Sequence, residues 1–249
     1  MNWFVKNYLK YFRKLPKLTF REGTNDEGLF VDVFKNNEYK FPESALGWTV
    51  LDLGAHIGTF SLLAYSRGAK KIIAVESDTE NFEILKTNTK GLKNIKLYNN
   101  AISSSDGEKF NCYKYVHIFS WGSCNYINTG GRGIIKGLNE DLLNDHEKRE
   151  YKILPNTVDS ISIKALLKTN NLRDIDFMKI DVEGTEKEIF KNIDIQDLLK
   201  LKRIAGEYHQ TEKREGEQLL KEKLEPYYHL EIAPNPATYE LGLFFAKLK

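Results

Sequence analysis

The sequence predicts an α/β fold: a Rossmann-like, doubly wound, mostly parallel seven-stranded sheet with a C-terminal antiparallel hairpin, plus an N-terminal helix and a lid insertion. Three observations carry that prediction. Residues 50–60 read VLDLGAHIGTF, an apolar run that meets a glycine-cornered turn and then a helical stretch, the grammar of a strand–turn–helix unit. About twenty residues later KKIIAVESD repeats the apolar run and ends in Glu76. Further apolar runs then alternate with helical spacing, the beat that builds parallel sheets.

Taken in order, residues 1–18 place Trp3, Phe4, Tyr8, Phe12 and Leu15 near helical spacing among Lys6, Lys10, Arg13, Lys14 and Lys17, with no acid before Glu22. Such a helix would pack on the domain or on a second subunit, or lie on an anionic membrane surface. Residues 1–40 are assigned to this helix and its lead-in, and 41–249 to one domain with a lid insertion at about 111–155. Strands are expected at 49–53, 71–75 and 94–98, with a helix at 79–90 that turns Phe82, Leu85 and Ile84 inward. After the polar turn 103–107, periodicity fades from Asn111 to Pro155, where CYKYVHIF reads as an added strand and SWGSCNYINTGGRGIIKG as a glycine-rich lid. Thr157 and Asp159 then read as N-terminal capping signals for a helical run at 161–167. Central strands follow at 176–180 and 203–205, and a closing hairpin at 228–232 and 241–246 surrounds APNPATYE.

Composition narrows the classes. At 249 residues and 41% apolar content, one α/β domain with an ample core is expected. A net charge of +2 is too balanced for a nucleic-acid binder that works by bulk field. Cys112 and Cys124 lie far from a CxxC spacing, which predicts a reduced, cytoplasmic protein without a zinc site, although spacing leaves a bridge between them open. There is no apolar run of about eighteen residues and no signal-peptide core, so a soluble protein is expected, with peripheral membrane contact through residues 1–18 as the alternative.

The corner at 52–58 carries the chemistry. Gly54 and Gly58 let backbone approach a ligand where a Cβ would clash, Asp52 puts a carboxylate at the strand end, and Glu76 stands where an acid accepts hydrogen bonds from both hydroxyls of an adenosine ribose. His56 occupies the second-glycine position of a dinucleotide fingerprint. Its side chain would crowd a diphosphate but not a cofactor that has none, which favours S-adenosylmethionine over NAD. A glycine turn that only packs helix on sheet is the bland alternative. Two later strands also end in polar residues, Asp181 and Glu183 on one and Glu207 and His209 on the other, where ligands bind in doubly wound sheets.

The chain resembles the FkbM-type methyltransferases of the class I S-adenosylmethionine-dependent fold from about Glu38 to Lys191. The match rests on EY at Glu38 and Tyr39, VLDLGAHIGTFSLLA, IAVES, NNAIS with the following DG, TVDSI, and above all DFMKIDVEGTEKEIFKN. It departs at His56, where the family usually has Asn, and at Ser77, where Pro is usual. The resemblance implies that Asp52, Gly54, Ala55 and Gly58 line the methionine and ribose, with His56 in the same loop. It also implies that Glu76 holds the ribose hydroxyls, that Ser77 lies against the adenine, and that Asn100 and Ala101 meet the adenine edge. It further implies O-methylation of a sugar, glycan or secondary metabolite.

Methyl transfer from a sulfonium asks a protein mainly to align an acceptor, and a hydroxyl acceptor also asks for a base. Asp181, Glu183 and His209 are the candidates. Each has a plainer role: Asp181 could orient cofactor or substrate, Glu183 could cap the following helix, and His209 could be a satisfied loop residue. Asp181 and Glu207 are the pair that could share a divalent cation. Two rival classes remain, an RNA-modifying methyltransferase that grips a strand with the basic N-terminus and the Arg132-bearing lid, and a noncatalytic S-adenosylmethionine-binding module. Against RNA stand the balanced charge and the lack of an NPPY-like string.

Overall fold

The computed structural model describes residues 15–115, 151–210, 214–237 and 240–249. Its helices are α1 (Asp26–Val31), which continues into a π turn at Asp32–Asn36, α2 (Thr59–Ser66), α3 (Thr79–Asn88), α4 (Ile163–Thr169), α5 (Glu186–Asn192), α6 (Ile195–Leu198) and α7 (Glu215–Leu224). Its strands are β1 (Thr49–Leu53), β2 (Lys71–Glu76), β3 (Ile95–Asn99), β4 (Ala101–Ile102), β5 (Lys109–Tyr115), β6 (Tyr151–Ile161), β7 (Phe177–Ile180), β8 (Arg203–His209), β9 (Tyr228–Pro234) and β10 (Leu241–Leu248).

Seven strands form one sheet in the order β3-β2-β1-β7-β8-β10-β9. β1 pairs parallel with β2 and with β7, while β10 runs antiparallel to β8 and β9. The predicted fold class therefore holds, down to the closing hairpin. Central strands buried on both faces need continuous apolar runs, and their side chains alternate: Val50, Ile72 and Phe177 enter one core layer with Phe30, Phe41 and Phe60, while Leu51, Ile73 and Met178 enter the other with Leu166, Phe190 and Leu220. The chain leaves β1 toward β2 and β3, then re-enters the sheet at β7 on the other side. That reversal opens a crevice past the carboxyl ends of β1 and β7.

Several expectations need correction. Residues 157–161 are the end of β6, which pairs with β5, and not a lead-in to a helix. The cap is Ser162, whose hydroxyl accepts from the Ala165 amide at 3.0 Å, so α4 starts at Ile163 rather than 161. The added strand expected at CYKYVHIF is present over its described part as β5, whereas the C-terminal end of the stretch read as aperiodic is also strand, since 109–115 and 151–161 pair antiparallel beside β4 in a separate three-stranded sheet. The rest of the lid, 116–150, and residues 1–14 of the proposed amphipathic helix lie outside the described residues. Residues 15–18 are not helical: Pro16 breaks the pattern, and Leu18 is buried in the core. β8 runs on to His209, which puts Glu207 and His209 within the strand's last turns of pleat rather than beyond it. Among the described residues, no helix is long and apolar enough to cross a membrane.

Candidate active site

A cavity of about 290 Å³ fills the crevice at the β1/β7 switch. Its walls come from the glycine turn, the ends of β2, β7 and β8, and the segment 29–39 that folds over them.

The turn is dictated by close backbone approach. Gly54 has φ of 77°, and a Cβ there would sit 1.7 Å from the Asp181 carbonyl oxygen. Gly58 has φ of 93°, and its Cβ would meet Leu85 at 2.6 Å. Between them His56 adopts φ of 52°, left-handed for a residue with a side chain. Its amide donates to Glu76 Oε2 at 2.7 Å, and the Asp78 amide donates to Oε1 at 2.9 Å. Glu76 thus braces the turn from the end of β2, and burial lifts its carboxyl to about 7.

A second layer of contacts comes from the N-terminal segment. Arg21 clasps Asp26 through Nε at 3.0 Å and Nη2 at 2.8 Å, donates through Nη1 to Asn81 at 2.7 Å, and places Nη2 2.8 Å from His56 Nε2. Because the guanidinium can only donate, it fixes His56 with its lone pair on Nε2. Burial pushes that imidazole down to about 4, so it is neutral.

Across the cavity stand Lys179, on β7, and Asp181, directly after that strand's last residue. Lys179 is buried, donates to the Gly54 carbonyl at 2.5 Å, and lies 3.8 Å from Asp52 and 3.7 Å from Asp181. Burial opposes its charge, but Asp181 and Asp52 outweigh that and raise it. Burial likewise works against an ionised Asp181, yet Lys179 holds its carboxyl below the ordinary value. Tyr39 donates to Asp181 Oδ2 at 2.9 Å, while the buried Oδ1 has no hydrogen-bond partner among the described residues. Burial, then repulsion from Asp181, lifts Glu38 to about 7 and Glu207 to about 8. His209 sits between carboxylates, with Nδ1 3.3 Å from Glu186 and Nε2 3.5 Å from Glu183 and 3.8 Å from Glu207. Burial disfavours its charge, but Glu186, Glu183 and Glu207 prevail and hold it well above the ordinary histidine value.

Of the residues singled out in the sequence, Gly54, Ala55, His56, Glu76, Ser77, Asn100, Asp181, Glu183 and Glu207 line the cavity. Asp52, Gly58, Ala101 and His209 do not. Asp52 is buried beneath the turn, accepting from Ser61 at 2.6 Å, where it serves as a counter-charge for Lys179. The N-cap of α5 is Thr185, without a side-chain capping bond, and the Glu186 carboxylate instead accepts from the Val182 and Gly184 amides of the loop before the helix, each at 2.9 Å. Asp181, Glu207 and His209 each bring one donor atom within 4.8 Å of the others. Both nitrogens of His209 already face carboxylates, so the oxygens of Asp181 and Glu207 are the atoms of this group best suited to a hard cation.

Sequence reasoning missed Lys179, Tyr39, Glu38, Arg21 and Asp26. Lys179 carried a signal, since a lysine inside a buried strand is almost never unpaired. Glu38 and Tyr39 entered only as part of the family resemblance, and Arg21 and Asp26 carried none.

A family model described as the Methyltransferase FkbM domain matches residues 52–233. AMB antimetabolite synthetase AmbE of Pseudomonas aeruginosa is 27% identical over 208 residues, which cover 76% of this chain and 9% of that protein; the chain thus spans a small part of that relative's length. Among solved structures, an rRNA methylase from Streptococcus thermophilus superposes with a TM-score of 0.50 at 9% identity, covering 86% of this chain and 96% of that one. The methyltransferase FkbM from Methylobacillus flagellatus KT gives 0.47 at 13% identity, covering 95% and 50%. At 9% identity the Streptococcus thermophilus superposition speaks to the fold alone.

Proposed function

Since the chain belongs to the FkbM methyltransferase family, we propose that it moves the methyl group of S-adenosylmethionine to a hydroxyl oxygen of a sugar, glycan or secondary metabolite. The observation that carries this is the division of one cavity between a glycine corner braced by Glu76 and a wall of carboxylates at the ends of β7 and β8.

The corner suits the cofactor. Gly54 leaves a cradle that a Cβ would fill, Glu76 stands at the ribose position, and Ser77 and Asn100 flank the adenine side. When bound, that cofactor supplies an electrophilic methyl carbon whose bond to sulfur breaks with the electron pair left on sulfur. The chain's own work is to orient the acceptor hydroxyl and receive its proton. Glu207, lifted to about 8, is the proton acceptor best matched to neutral pH. Asp181, kept ionised by Lys179, orients the hydroxyl. His209 acts as a positioning residue, because its two ring nitrogens are engaged by Glu186 and Glu183.

Isothermal calorimetry with S-adenosylhomocysteine tests the proposal, with binding at micromolar concentration expected and none for NADH. Binding of NADH in its place would overturn it.

A further inference from the structure

We infer that the methyl acceptor carries a protonated amine near the reacting hydroxyl, and that Glu38, Asp181, Glu183 and Glu207 receive it. The inference rests on the methyltransferase reading above and names the substrate class that the same cavity takes.

Charge at the acceptor end of the cavity is unbalanced. Glu38, Asp181, Glu183 and Glu207 all line it. Among the described residues, the cations at this end are Lys179, 3.7 Å from Asp181, and His209, 3.5 Å from Glu183 and 3.8 Å from Glu207, and each is shared with an acid outside the wall. Lys179 donates to the Gly54 carbonyl and faces Asp52, and His209 faces Glu186. Asp181 Oδ1 is buried and has no hydrogen-bond partner among the described residues, a costly state for a carboxylate oxygen. Tyr39, which fills Oδ2, has its only hydroxyl proton committed there.

Each acceptor class meets this wall differently. A neutral alcohol brings one donor and no charge, and that donor is consumed when its proton leaves. An acceptor bearing phosphate or carboxylate would bring a further negative charge to an acidic wall. An ammonium brings three donors and one positive charge on a compact centre, and it answers both the orphaned oxygen and the excess of carboxylates. A divalent cation would answer the charge too, through carboxylate oxygens such as those of Asp181 and Glu207, so the titrations below are run in EDTA and repeated with magnesium. Asp181, directly after β7, is held by the Tyr39 hydroxyl and lies 3.7 Å from Lys179, so its carboxylate is placed before any ligand arrives, which favours recognition over adaptation.

The test uses the full chain saturated with S-adenosylhomocysteine in EDTA, titrated calorimetrically with matched triplets. One triplet is D-glucosamine, D-glucose and D-glucuronate; the other is 2-amino-1-phenylethanol, 1-phenyl-1,2-ethanediol and mandelate. Within a triplet the amine should bind at least about 10-fold tighter than the neutral partner, with the acid weakest. The Glu183→Gln/Glu207→Gln double variant should lose most of that ratio while its affinity for S-adenosylhomocysteine stays within about twofold. The inference is overturned if no amine binds, if the neutral or acidic partner binds as tightly, if selectivity appears only after magnesium is added, or if the double variant keeps the full ratio. Failure of S-adenosylhomocysteine to bind in the first titration strikes the parent reading instead, and this one with it.

Discussion

At the β1–β2 end of the cavity, Glu76 accepts from two backbone amides and His56 is held by Arg21, whereas at the β7–β8 end four carboxylates face two cations that other groups already engage. The first end holds its loop through these bonds, and its buried Asp52 Oδ1, without a hydrogen-bond partner among the described residues, lies 3.8 Å from the Lys179 ammonium. The second keeps an oxygen of Asp181 without a donor and carries two carboxyls displaced to about 7 and about 8. The first region's bonds go mainly to fixing a loop, while the second gathers acids around an open wall, the arrangement of a site that receives a ligand.

The sharpest way to break this contrast is at Gly54. Gly54→Ala drives a Cβ onto the Asp181 carbonyl from a left-handed backbone, and a loss of about 3 kcal/mol or more in urea denaturation is expected. Near-native stability would mean the turn is looser than its geometry states. Next comes Glu76→Gln, which should weaken S-adenosylhomocysteine by roughly 10- to 100-fold, as expected when a charged acceptor is lost. The same exchange at Glu207 should leave that affinity nearly unchanged. Calorimetry on the pair of variants decides whether the two ends are independent.

A smaller effect separates the ends by pH. Glu38 and Glu76 at about 7 and Glu207 at about 8 all stand above the ordinary glutamate value of 4.5. Between those limits the folded chain holds more protons than the unfolded one, so stability falls as pH rises from about 5 to 8. Glu207→Gln should flatten the upper part of that fall and raise stability at pH 8 by about 1 kcal/mol. Thermal melts across the range check the sign, and a melting temperature that climbs toward pH 8 would contradict it. The least change is expected from His56→Asn. Asn tolerates φ of 52°, so stability should shift by less than about 1 kcal/mol, whereas His56→Ile should cost more because a β-branched residue resists that backbone.

The sheet was legible because its strands are buried on both faces and read as apolar runs with glycine or acid at their ends, as VLDLG and IIAVE show. The strand-end carboxylates were legible for the same reason. Lys179 was hidden by the company it keeps, since FMKI reads as a core strand and only the folded register brings its ammonium to Asp52 and Asp181. Arg21 and Asp26 were invisible because their partners His56 and Asn81 lie 35 and 60 residues from Arg21 along the chain. The capping of α4 was misplaced because Thr157 and Asp159 have the chemistry of caps, and only the pairing of β6 with β5 assigns them to a strand and leaves the job to Ser162.

The clasp of Arg21 on His56 has a practical corollary for anyone who moves this unit into another scaffold. The family model spans 52–233, but Leu29, Asp32, Val33, Glu38 and Tyr39 wall the cavity from upstream of that span. A transplant trimmed to the motif would carry the glycine corner with one flank missing and the tyrosine that restrains Asp181 left behind. The smallest portable piece therefore starts no later than Leu18, whose side chain is already part of the core.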